Sequence, residues 1–90
     1  MYNKEEFKNM VEIHSDLIIQ EMSLKQKIMG KQALNFDFEA RTALDKQELS
    51  LYASDTVYRN LVDELAKITA KQKALYYKLK YTETYLSLKD

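Results

Sequence analysis

LVDELAKITAKQKALYYKLKYTETYL, residues 61–86, decides how this chain is read. Leu61, Leu65, Ile68, Gln72, Leu75, Leu79, Thr82 and Leu86 recur at alternating steps of four and three. That spacing keeps one stripe of a helix turned toward a neighbouring helix, as in a coiled coil. The ninety residues include no proline and a single glycine. Tight turns and sheets draw on both residue types, so their scarcity leaves helices as the consistent reading. The expectation is an all-α fold: an antiparallel helical hairpin or three-helix bundle with long first and last helices and coiled-coil-like packing.

Traced backwards, the same register lands on Tyr58, Ser54, Leu51, Gln47 and Leu44. One unbroken helix from 36 to 88 would satisfy it. Ser54, Asp55 and Thr56 argue for a break near 53–55, because such side chains compete for backbone hydrogen bonds inside a helix and favour its start. The last helix is therefore placed at about 55–88 and a middle one at about 37–52.

The first helix begins with Asn3 as N-cap and Glu6 three residues later, the capping-box pattern. Tyr2 and Phe7 stand at the positions of a hydrophobic staple, and Glu5 and Glu6 lie where the helix dipole favours acids. Phe7, Met10, Val11, Leu17, Ile18, Leu24 and Ile28 repeat with a helical period. Gly30 reads as a C-terminal stop, giving a helix of about 4–30 and a connection at 31–36. Asn35 or Asp37 then reads as the cap of the middle helix. The whole of 1–90 is one small helical domain.

Fourteen basic and fourteen acidic side chains cancel, but unevenly along the chain. Residues 1–64 carry 8 basic and 12 acidic groups, and residues 65–90 carry 6 and 2. Such a dipole favours self-association or an oriented encounter with a partner. The lack of cysteine excludes disulfides and thiolate metal sites and suits a reducing compartment. MYNKEEFKNM lacks the build of a signal peptide, and no apolar run approaches the length of a membrane span. A cytoplasmic protein with no membrane partner is expected.

Residues that carry chemistry are sparse. His14 is the only histidine, and Val11 stands three residues before it where a di-iron bundle would need glutamate. Asp37, Glu39, Asp63 and Glu64 lack the loop glycine and acid spacing of a calcium site, and Gly30-Lys31 lacks the rest of a phosphate loop. No serine or threonine has a base and an orienting acid in any recognisable pattern. Hence no catalytic, cofactor-binding or metal-ligating residue is assigned, and no enzyme activity or cofactor is expected. His14 falls in the core register between Met10 and Leu17, as a structural histidine or a pH-sensitive contact. Gln72 falls at a seam position where a polar side chain can fix register.

The remaining signal is the surface of the last helix. With Leu65, Gln72 and Leu79 at heptad position a, Lys71 and Lys78 flank the seam at g, Lys67 lies at c, and Lys73 and Lys80 lie at b. Lys71 and Lys78 are placed to meet Glu5, Glu6, Glu12, Asp16 or Glu21 of the first helix. Tyr77, Tyr81, Ala70, Ala74 and Leu88 make a second, weaker apolar stripe on the back. Ile13, Ile19, Met22 and Met29 likewise lie outside the first helix's narrow seam. Faces this wide belong to bundles, so a homo-oligomer is expected, with the Tyr–Ala stripe as its interface.

The function expected is non-catalytic protein–protein binding by a small helical adaptor, regulator or inhibitor. The profile suits small proteins of mobile genetic elements that block host machinery. The alternative is a nucleic-acid- or nucleotide-binding module in which Lys67, Lys71, Lys73, Lys78 and Lys80 meet phosphates and tyrosines stack on bases. Zero net charge and only two arginines stand against it.

Overall fold

The computed structural model describes residues 3–88 in full and the backbone of Lys89. Three helices follow one another: α1 (Lys4–Asn35), α2 (Leu44–Ser54) and α3 (Thr56–Lys89). The described residues contain no strand. The long helices α1 and α3 pack antiparallel, and α2 lies against α3 near the hairpin's closed end. The fold is thus an all-α hairpin with a short third helix.

α1 starts at Asn3, whose extended backbone lets its Oδ1 accept the Glu6 N–H at 2.8 Å. That bond satisfies one of the donors a helix start leaves open. The proposed staple involves Tyr2, which lies outside the described residues.

α1 does not stop at Gly30. Gly30 keeps a negative φ and sits inside the helix, which continues to Asn35. A mid-helix glycine costs about 1 kcal/mol relative to alanine. Contacts made by the extra turn offset it: Lys31 Nζ reaches Asp55 Oδ2 at 3.0 Å, and Gln32 Nε2 donates to Tyr58 Oη at 3.0 Å. The end is closed instead by Asn35, whose Nδ2 donates to the Lys31 carbonyl, and by the Phe36 N–H bonding to the Gln32 carbonyl.

The connection therefore falls at 36–43 rather than 31–36, and the middle helix starts at Leu44 rather than near 37. Neither Asn35 nor Asp37 caps it; Ala43 holds the N-cap position with no side-chain bond. Two interactions keep 36–43 out of a helix. Phe36 is extended, and its ring packs on the core. Gln47 staples the loop: its Oε1 accepts the Asp37 N–H, and its Nε2 donates to the carbonyls of Asp37 and Thr42.

The chain breaks again at Asp55. Its backbone is extended, and its Oδ1 accepts the Tyr58 N–H at 3.0 Å as the N-cap of α3. Arg59, one turn into α3, bonds the carbonyls of Tyr52 and Ala53 at the C-terminus of α2. A cation there is favoured by the helix dipole. Tyr52 in turn donates to Asp63 at 2.7 Å, a bond that raises its hydroxyl pKa.

The core is small and lies at this closed end. Ile28, Leu51 and Tyr58 are buried together, with Phe36, Tyr52, Leu61, Val62 and Leu65 packed around them. Farther along α3 only Ile68 and Thr82 are buried. On α1 a heptad stripe of Phe7, Met10, His14, Leu17, Glu21, Leu24 and Ile28 is half-buried or better. The result is a rod of 59 × 20 × 17 Å with a radius of gyration of 18.4 Å. A compact domain of this length would have a radius of about 12 Å.

Candidate interaction surface

A rod two helices thick exposes much of what its sequence marks as apolar. Among the described residues, fifteen large hydrophobic side chains are exposed, against four buried ones. The accessible surface is 7069 Å² for a 10.7 kDa chain. A compact monomer of that mass exposes about 5,500 Å². Part of the excess lies at the closed end, on Leu34, Phe38, Leu44, Leu49 and Val57, and the rest runs along the hairpin beyond α2, where no third helix covers it.

The Tyr–Ala stripe lies in this open region of α3. Tyr77 is 47% exposed, Tyr81 73% and Leu88 82%, with Ala70 and Ala74 also exposed. The stripe is not wholly one surface. Tyr77 turns to one side of the hairpin, where it meets Tyr76 edge-on at 5.6 Å between ring centroids. Ala74 borders the opposite side, with Ile13 and Leu17.

The five lysines between 67 and 80 form no ion pair with another described residue. The expected pairing of Lys71 and Lys78 with the acids of α1 is not made. The two ion pairs among the described residues are Lys25–Glu21 at 2.7 Å, within α1, and Lys31–Asp55. Heptad register supplies the reason. The α1 side chains that line a groove with Lys71 and Lys78 are the apolar Ile13 and Leu17, while Glu5 and Glu12 fall on the outer face of α1 and Lys67, Lys73 and Lys80 on the outer face of α3. The lysines also bracket the tyrosine stripe on both sides and do not run together as one basic track.

His14 is half-buried and lines a groove with Thr69, Gln72, Lys73, Tyr76 and Tyr77. Gln72, also half-buried, thus meets the α1 seam at its one histidine. Glu21, the next polar seam residue on α1, is held by Lys25 one turn on. Thr82 is 1% exposed, and its hydroxyl has no hydrogen-bond partner.

The sequence reading missed two features. One is the latch formed by Gln47 and Arg59, whose side chains bond backbone groups and leave no periodic trace. The other is a groove on the side of the hairpin away from α2, rimmed by Ile13 and Ile19. Both isoleucines were visible as excess apolar residues. Their alignment with Ala74 and Ile68 of α3 needs the antiparallel register.

No group of three or more His, Asp or Glu side chains capable of holding a metal occurs among the described residues. No described helix is long and apolar enough to cross a membrane. No family model matches the chain, and neither does any curated protein or solved structure.

Proposed function

We propose that this protein works by non-catalytic protein–protein binding, as a small helical adaptor, regulator or inhibitor that assembles as a homo-oligomer. One observation carries the reading: fifteen exposed large hydrophobic side chains against four buried ones among the described residues. Burying apolar area gains roughly 25 cal/mol per Å², so a hairpin this open is stabilised by any surface that covers it. Solution mass by light scattering at micromolar concentration, in low and high salt, tests it. A dimer or larger species that persists in high salt is the expected result. A monomer at every concentration overturns the homo-oligomer.

Nucleic-acid binding is the second reading, supported by the five unpaired lysines of α3. Lys73→Glu with Lys80→Glu separates the two. Under the first reading the pair leaves assembly intact, and a nucleic acid binds neither form. Salt-sensitive binding that the lysine reversal abolishes would favour the second.

A further inference from the structure

The side of the α1–α3 hairpin away from α2 carries an uncovered groove in two consecutive stretches. In the first, Ile13 and Leu17 of α1 meet Ala74 and Leu75 of α3, flanked by Lys71 and Lys78. In the second, Ile19 and Leu24 meet Ile68, flanked by Lys27 and Glu64. The floor is the back of the hairpin seam, and the rim residues Ile13 and Ile19 are 52% and 64% exposed. α2 cannot close it. α2 is held through Arg59 and Asp63, which lie on the other flank of α3 from Glu64, Lys71 and Lys78 in the heptad.

We propose that this groove is the self-association face, and that a second copy of the chain covers it by laying its α1 on α3 and its α3 on α1. The inference rests on the homo-oligomer proposed above. Area supports it. The chain exposes roughly 1,500 Å² more than a compact monomer, and a standard interface removes about 800 Å² from each partner.

Charge supports the choice of occupant. In the first stretch the α3 rim is basic, with Lys71 and Lys78, and Asp16 stands on the adjoining shoulder of α1. In the second stretch the signs reverse, with Lys27 on α1 and Glu64 on α3. None of these groups forms an ion pair with another described residue. A two-fold axis along the hairpin sets Asp16 of each copy toward Lys71 of the other, and Lys27 toward Glu64. The face thus complements itself, as an isologous contact requires. Of the five lysines between 65 and 82, Lys71 and Lys78 are the two that line this face.

Sedimentation velocity on the full chain and its variants tests the proposal, with circular dichroism to confirm that each variant is helical. Ile13→Glu with Ile19→Glu should reduce the dimer to a monomer of unchanged helicity. Lys27→Glu alone and Glu64→Lys alone should each weaken association on the order of tenfold, the shift a like-charge contact produces. The double variant should restore it. These two reversals are exposed or rim changes and supply the test if the isoleucine variant does not fold. A wild-type monomer overturns the self-association reading and this inference together. A wild-type dimer that survives Ile13→Glu with Ile19→Glu but dissociates on Tyr77→Ala with Tyr81→Ala overturns the groove and leaves self-association standing. Failure of the double charge reversal to restore association overturns the α1-on-α3 placement.

Discussion

Lys31 Nζ lies 3.0 Å from Asp55 Oδ2, joining the last turn of α1 to the residue that starts α3. The pair spans the connection and the whole of α2. It holds the closed end of the hairpin at the point where the chain departs furthest from its own local preferences. The same Asp55 carboxylate accepts the Tyr58 N–H, so one side chain serves as helix cap and as cross-link.

Asp55 variants separate those two roles. Asp55→Asn keeps a capping oxygen and loses the charge, whereas Asp55→Ala loses both. Urea denaturation should rank stability as wild type, then Asp55→Asn, then Asp55→Ala. The Tyr58 N–H, followed by Lys31, holds the Asp55 carboxyl below its usual pKa. A depressed folded-state pKa stabilises the fold above the unfolded value, near 3.9, and that contribution is lost as pH falls through the folded value. The gap between wild type and Asp55→Asn should therefore be full at neutral pH and close only at pH below the ordinary aspartate range. A gap that is constant down to strongly acidic pH contradicts the ion pair.

Tyr58 is the centre of the core, with no exposed surface, yet its hydroxyl is bonded. Gln32 donates to it, and it reaches Glu48 at 3.4 Å. Burial raises its pKa above the usual tyrosine value. Tyr58→Phe should cost about 1 kcal/mol, the usual net loss for a hydrogen bond whose partner remains. Tyr58→Ala should cost about 3–5 kcal/mol, because a large aromatic leaves a cavity between three helices. Equal losses for the two would mean that the ring adds little beyond its hydroxyl.

Thr82 presents the opposite case. Its buried hydroxyl has no partner, and an unbonded buried polar group costs about 1–3 kcal/mol in desolvation. Thr82→Val keeps the shape and removes that cost. The variant should melt at a higher temperature than the wild type. A lower melting temperature would show that the hydroxyl is bonded in solution, by water or by another chain.

Gln72 interrupts the apolar seam beside His14. Gln72→Leu should add about 1 kcal/mol of stability through extra apolar burial, measured by thermal denaturation. If Gln72 also fixes register, the variant should show a broadened distribution of masses. A more stable variant with one unchanged mass would leave Gln72 with no part in specificity.

Much of this architecture is legible along the chain, for identifiable reasons. The four–three spacing from Leu61 to Leu86 reports helix and packed face together, because a side chain's angular position follows from its number alone. Asn3 and Glu6 mark the start of α1, and Ser54-Asp55-Thr56 the start of α3, because capping bonds run between residues three apart. Candidate interface residues were legible as an excess of apolar side chains, but which of them share a surface was not. Tyr77 and Ala74 are close in sequence and lie toward opposite sides of the hairpin.

The sequence by itself determined the helical class, the two long amphipathic segments and the N-caps of α1 and α3, since each depends on residues within a turn or two of one another. Tertiary structure alone decided where α1 ends. Gly30 carries a local stop signal, and Lys31 and Gln32 override it by bonding to Asp55 and Tyr58, more than twenty residues away. It also decided that α2 closes one end and one side of the hairpin, because Arg59 and Gln47 hold it through backbone carbonyls that any residue presents. Bonds of that kind depend on which segments have been brought together, and no spacing along the chain records them.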